Sequence, residues 1–414
     1  VDLLNRIFLY ALAVTLPVFV PNWHGKLIAG LFLIWSATIF LEKKIEIERS
    51  ARPFLLLSGG IFLMNLIGIL YSENDQGKFI VESIAPLLIL PVIILTSHRT
   101  IEKITPSSII IWFVAGVIIL NLASLVFISY DLWDSKNLQA NLVLANNSIV
   151  QIHPAFLSLY ISFSIFFLVD RYFPLTGNDR SKLGWILFSL ATLTAYLIWL
   201  NSRAGILGFF IAALFYIFYR YESKTRYIAF SILAFVLVLI ISIPFSRDRF
   251  VKAPLMVLNG SITEDSKHDP NVFPILARKQ LLGCSFDLVK GPELLYGYGT
   301  GDARDVLQKC LKDKGYVGLA QAKLDAHNEY FAELHRHGIV GLSLFVGLLV
   351  FVFWYALERR SALLAVFVIL FSITALFENV FSSQKSATFF ALLCPILMLY
   401  AKQQSTARVE KPVV

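Results

Sequence analysis

The chain has 414 residues, 57% of them hydrophobic and 15% charged, with a net charge of +8. That charge content is well below the roughly one quarter expected of a soluble domain, which excludes a soluble globular enzyme. No basic cluster has the footprint of a nucleic-acid-binding face, so nucleic acid is excluded as a partner and a polytopic membrane protein remains.

Uncharged apolar runs fall at 7–20, 27–41, 54–70, 84–95, 109–130, 155–169, 183–200, 204–219, 227–243, 338–357, 363–377 and 387–400. They predict an all-α architecture of about 12 transmembrane helices. Several runs are shorter than the roughly 20 residues needed to cross a bilayer, so they extend into their flanks or are shielded by neighbours. The run at 84–95, bracketed by Pro86 and Pro91, is the weakest. Three parts follow: 1–243 with nine spans, 244–337 as one large loop region with amphipathic helices, and 338–414 with three spans and a tail. Lysine and arginine gather on alternate links (Lys43, Lys44, Arg49, Arg52; Arg99, Lys103; Arg171, Arg180, Lys182; Arg220, Lys224, Arg226; Arg359, Arg360). The opposite short links hold only Lys26, Lys78, Lys136, Arg203 and Lys385. The positive-inside rule then puts both termini inside and the large loop outside. The first run reads as a span, not as a cleavable leader.

Taken in order, Asn65 inside a span predicts an amide bonded to a neighbouring helix. The polar link 71–83 predicts a solvated loop feeding a partly amphipathic helix. The link 131–153 ends in Q-I-H-P, which puts His153 at the cap of a helix begun by Pro154. In the tight N-S-R hairpin, Asn201 or Ser202 caps the next helix and leaves Arg203 in its first turn, where a cation opposes the helix dipole. Its compensation is a bound anion or a structural ion pair. Within the large loop, 275–289 reads as an amphipathic helix with Arg278, Leu282, Phe286 and Val289 on one face, so that Arg278 points into a cavity or snorkels to the surface. The acidic stretch Glu264, Asp265, His268, Asp269 reads as a solvated loop before a metal site. Cys284 and Cys310 are candidates for a disulfide in an oxidising compartment. The alternating glycines of G-Y-G-T-G, around Tyr298, allow close backbone approach but belong to no nucleotide-binding strand–helix unit.

The stretch D-A-H-N-E-Y-F-A-E-L-H-R-H-G-I-V-G, 325–341, is polar and runs into an apolar span. Asp325 is read as the N-cap and His327 as a first-turn residue, suited to a general base or a phosphate contact, or else to an interfacial anchor. The last outward link carries Glu378, Asn379, Gln384 and Lys385, either one wall of a site or caps of two helices. Two histidines and two arginines thus face one compartment, a set suited to group transfer from a lipid-linked diphosphate.

His327-Asn328, nine residues, Gly338, two residues, Gly341 matches the H-[NSQ]-x9-G-x-x-G pattern of the O-antigen ligase and polymerase superfamily. S-R-A-G at 202–205, G-Y-G-T-G, the twelve runs and the single large loop also resemble that family, over nearly the whole chain. The resemblance implies a metal-independent glycosyltransferase of the GT-C type, without cofactor, in the bacterial inner membrane with its site facing the periplasm. Its donor would be undecaprenyl-diphosphate-linked glycan, its acceptor the lipid A-core, and its surroundings membrane lipids. By motif match His327 would be catalytic and Arg203 and Arg278 would hold the diphosphate, with His153, Asn328, Tyr298, Glu378 and Lys385 as candidate wall residues. Leu342 and Ser343 stand where the ligase pattern continues with two threonines, which leaves a polymerase, with a second lipid-linked glycan as acceptor, as the alternative. A transporter is the reading outside enzymology, but the spans carry few charges and the polar groups collect on one side.

Overall fold

The structure, a computed structural model, describes residues 2–18, 23–42, 47–96, 105–134, 152–173, 183–263 and 265–409. Glu264, Lys136 and the other residues of 135–151 lie outside the described residues, as do Lys43, Lys44, Arg99, Lys103, Arg180 and Lys182. Among the described residues the chain is all α, without a strand. Among the described residues ten helical spans are long and apolar enough to cross a membrane, and the shorter apolar helices Leu3–Thr15 and Ala362–Ala375 match the two remaining runs.

The helices are α1 (Asp2–Thr15), α2 (Trp23–Glu42), α3 (Arg52–Leu70), α4 (Gly77–Ile84), α5 (Pro86–Thr96), α6 (Pro106–Asp134), α7 (Pro154–Tyr172), α8 (Leu183–Leu200), α9 (Arg203–Arg220) and α10 (Ser223–Ser242). They continue as α11 (Phe273–Leu288), α12 (Ala303–Asp313), α13 (Glu329–Glu358), α14 (Ala362–Ala375) and α15 (Gln384–Val409), with short helical turns between α10 and α13. The weak run at 84–95 becomes a full span because α4 and α5 run on as Gly77–Thr96, so the polar link expected over 71–83 is helical in its second half. Asn65 Nδ2 donates to the Ile61 carbonyl of its own helix rather than to a neighbouring helix, and its backbone carbonyl accepts from the Thr300 hydroxyl.

Between spans in lipid, association rests on close side-chain packing, because the tails are as apolar as leucine. Phe163, Phe367, Phe371, Phe389 and Phe390 interlock around α7, α14 and α15, edge to face or tilted. The window of α15 is 89% buried, whereas that of α10 is only 11% buried, so α10 stands at the periphery beside α9.

Two local devices position the site. Gly338 (φ +63°) breaks the helical backbone inside α13, and the carbonyls of His335 and Arg336 receive the amides of Tyr298 (2.7 Å) and Gly299 (3.0 Å). A side chain at Gly338 would meet the Leu295 backbone at 2.3 Å, and one at Gly297 (φ +74°) would meet Arg336 backbone at 2.4 Å. The glycine-rich stretch therefore approaches a kinked helix, not a ligand. The second device is a small core of Ala277, Leu281, Leu307 and Leu311, closed by the disulfide Cys284–Cys310 between α11 and α12. It buries the Ala277–Leu281–Cys284 face of α11, one position round from the expected Arg278–Leu282–Phe286 face; Phe286 is exposed and Arg278 lies at the edge.

Candidate functional site

The start of α13 differs from the sequence expectation. Asn328, not Asp325, is the cap: its Oδ1 accepts from the Phe331 amide (3.1 Å), while Asp325 faces Arg304 (Nε to Oδ1, 3.2 Å). His327 therefore lies just outside the helix rather than in its first turn, in the left-handed region (φ +48°), a conformation histidine adopts more readily than most residues. Asn328 also fixes the facing link, donating from its amide to Asn379 Oδ1 (2.8 Å) and from Nδ2 to the Leu376 carbonyl (3.1 Å). Its part is clamp and cap rather than wall.

That clamp brings Glu378 to the centre. His327 Nδ1 lies 3.1 Å from Glu378 Oε2, Arg278 Nη2 lies 2.7 Å from Oε1, and His153 Nδ1 is 3.8 Å from Oε1. The Glu378 side chain is 6% exposed. Burial alone would raise its pKa, yet the hydrogen bond from His327 and the charges of His153 and Arg278 outweigh burial and hold the carboxyl below its ordinary value. An ionised Glu378 accepts from Nδ1–H of His327, which leaves Nε2 as the basic nitrogen of a Glu–His pair. His153 caps α7 as expected, accepting from the Ala155 amide (3.4 Å). Desolvation by the surrounding protein lowers its pKa although half of the side chain stays exposed, Glu378 pulls the other way, and the nearby charges of His327 and Arg278 lower it further.

Arg203 begins α9, as expected, with Ser202 as the cap. Carbonyls rather than a carboxylate receive its guanidinium: Nε and Nη2 reach the Arg249 carbonyl (both 3.2 Å) and Nη2 the Asn271 carbonyl (2.6 Å). Arg249, absent from the sequence reading, joins it. Its buried Nε has no hydrogen-bond partner, and burial followed by the charge of Arg278 holds it below the usual guanidinium value. Among the described residues Arg278 is paired with Glu378, while Arg203 and Arg249 neighbour Arg278 through like charge, so the group of three guanidiniums holds one paired carboxylate and the excess favours an anion. The dense S-R-D-R-F stretch directly after a span was the available signal for Arg249.

From Arg203 an apolar groove of about 730 Å³ runs between α9 and α10, along Ile206, Phe210 and Leu214 on one side and Leu233 and Leu237 on the other; Phe377 borders it. A long apolar chain with an anionic head fits this shape, head at the arginines and tail between two spans.

A second ionic group lies behind the first. Arg336 Nη1 is 3.3 Å from both Glu329 Oε1 and Glu333 Oε1, and Nη2 donates to Ser382 Oγ (2.7 Å); the Phe381 amide donates to Glu329 Oε2 (2.9 Å). These residues, unmarked by any motif, tie the 378–382 link to α13. Tyr298 stands apart from Glu378, its hydroxyl bonded to the Leu288 carbonyl (2.9 Å) and its amide to α13, so it is a staple rather than a wall. Lys385 lies in the first turn of α15, its backbone carbonyl accepting from the Tyr160 hydroxyl (3.1 Å). Among the described residues no group of three or more histidine, cysteine or acidic side chains is placed to hold a metal.

Residues 188–346 match the family model described as O-Antigen ligase. The chain contains an O-antigen ligase family segment. That segment begins in α8 and ends in α13, so it carries Arg203, Arg249, Arg278 and His327, while His153 and Glu378 lie outside it. The match supports a ligase- or polymerase-type function for that segment, and the apolar helices among the described residues make the protein a multi-pass membrane protein. No curated protein matches the chain.

Proposed function

We propose that this protein is an O-antigen ligase of the inner membrane, moving glycan from undecaprenyl diphosphate to the lipid A-core on the periplasmic face. The supporting observation is the apolar groove that ends at Arg203, beside Arg249, Arg278 and the Glu378–His327 pair. An isoprenoid tail lies in the groove and the diphosphate meets the arginines. His327 Nε2 takes the proton of an acceptor hydroxyl, whose oxygen attacks the anomeric carbon of the donor sugar as the bond to the diphosphate oxygen breaks. Glu378 orients His327 and stabilises the imidazolium that forms. The guanidiniums neutralise the charge developing on the leaving diphosphate, the part a cation plays in metal-dependent transferases. Single displacement inverts the anomeric centre.

Deletion of the gene, with glycolipids separated on gels and lipid-linked intermediates quantified, tests this reading. Long glycans held on undecaprenyl diphosphate, with none on the lipid A-core, are the expected result. Single repeat units on the lipid carrier and ligated chains of one repeat identify a polymerase instead, and unchanged pools reject both. Retention of the donor's anomeric configuration in the product rejects the single displacement.

A further inference from the structure

The turn between α11 and α12 carries apolar side chains on its outside. Its single helical turn, Glu293–Tyr296, exposes Leu294, Leu295 (61%) and Tyr296 (55%). Two spans fix where it sits. The Leu295 backbone lies against Gly338, where α13 kinks, and the next two residues of α13, Ile339 and Val340, are exposed as well. On the other flank Tyr71 donates its hydroxyl to the Tyr296 carbonyl (3.2 Å), and Tyr71 directly follows Leu70, the 85%-exposed last residue of the α3 span.

Three observations say what covers this face. Leu70, Ile339 and Val340 belong to membrane spans, so lipid surrounds them, and the exposed turn is continuous with them. Two tyrosines, Tyr71 and Tyr296, stand together at the ends of those spans, the level at which an amphipathic ring bridges headgroups and acyl chains. The backbone of the turn is also closed on itself and on the protein. The amides of Leu295 and Gly297 donate to the carbonyls of Pro292 (2.9 Å) and Glu293 (2.8 Å), and those of Tyr298 and Gly299 donate to α13. A segment that enters the lipid boundary needs its backbone bonds made within the protein, because hydrocarbon supplies none. In water the same face would be a contiguous apolar patch of the kind that marks an interaction surface.

We propose that the turn Glu293–Tyr296 is a membrane anchor, with Leu295 and Tyr296 seated in the headgroup–acyl boundary of the leaflet on the side of the site. It joins the segment after α11, which carries Arg278, to the kinked start of α13, which follows His327, so its seat sets the depth at which both meet the bilayer. The inference stands apart from the ligase reading, and its test does not depend on transfer.

Nitroxide labels test it on the full-length protein in phosphatidylethanolamine–phosphatidylglycerol vesicles. Cys394→Ala removes the free thiol and the Cys284–Cys310 disulfide is left closed, so Leu295→Cys, Tyr296→Cys, Ile339→Cys and Lys312→Cys each present one thiol to the label. Oxygen concentrates in lipid and a nickel chelate in water, so the ratio of the label's collision rates with the two reads its surroundings. At 295 and 296 that ratio is expected to be several-fold above the value at Lys312, an exposed residue of α12, and to approach the value at Ile339. A ratio equal to that at Lys312 puts the turn in water. Few collisions with either reagent put it under protein, a second copy of this chain included; either result overturns the anchor. Should Leu295→Cys not fold, Tyr296→Cys decides by the same criterion.

Discussion

Two ionic groups flank the start of α13, built from the same residue types to opposite rules. In the inner one, Glu329, Glu333 and Arg336 are 0%, 1% and 6% exposed, and the guanidinium is divided between both carboxylates and Ser382. In the outer one, only Glu378 is closed in; Arg278, His327 and His153 are 29%, 31% and 51% exposed. The inner group has two carboxylates to one guanidinium, whereas the outer has one carboxylate facing Arg278 with Arg249 and Arg203 behind. An enclosed network of satisfied charges holds a shape, and an open one short of negative charge awaits a ligand that brings it. The inner group ties the 378–382 link to α13 through Ser382 and Phe381, and that link carries the Glu378 of the outer group.

The largest effects should separate these two roles. His327→Ala is expected to lower transfer by about 10²–10⁴-fold, the usual loss for a general base, while melting close to the unaltered protein. Its ring sits outside the helix and a third exposed, so little packing is lost. Arg336→Ala should do the reverse: it strands two buried carboxylates and should destabilise the fold by about 3–5 kcal/mol, read as a lower melting point in detergent and a lower yield. If Arg336→Ala melts normally and loses only turnover, the division into anchor and site is wrong. Arg278→Ala lies between: it leaves the buried Glu378 with His327 as its remaining close partner, so transfer is lost and stability falls by less than for Arg336→Ala.

The same contrast explains what the sequence could reveal. Spans were legible because apolar runs must be about one bilayer long, and the twelve runs reappear as helices, even 84–95 once its N-terminal flank joined it. His153, Arg203, Arg278, His327 and Glu378 were legible as polar residues at span ends facing one side, and the structure brings His153, Arg278 and His327 onto Glu378. That Glu378 would be their common partner was not, since it depends on a clamp between Asn328 and Leu376 and Asn379 across some fifty residues of chain. The cap was misread because both Asp325 and Asn328 are good caps, and only the fold reveals that Arg304 engages Asp325. The face of α11 was misread because the disulfide and α12, rather than the membrane, decide which side is buried.

A smaller effect tests that last point. Cys284→Ser should loosen α11 against α12 by about 2–4 kcal/mol in the chain-entropy picture, and Arg278 rides on α11. Reduction of the unaltered protein should therefore lower transfer and raise hydrogen exchange in 273–313, leaving the spans protected. If exchange in that segment is unchanged while transfer falls, the disulfide acts elsewhere than on the seat of Arg278.

The smallest expected effect is the pH dependence of the outer group, and its sign is fixed by Glu378. The carboxyl lies below its ordinary value in the folded protein, so across the acid range the unfolded chain binds the proton first. Stability from the Arg278–Glu378–His327 contacts is thus fully present above the unfolded carboxyl value and is lost as pH falls through the depressed folded one. Melting points measured over the acid range should fall less steeply for Glu378→Gln than for the unaltered protein, and the two slopes should agree above it. A Glu378→Gln protein with the unaltered slope throughout would mean that Glu378 is not held as an anion by its cationic neighbours, and the outer group would then lack the carboxylate that orients His327.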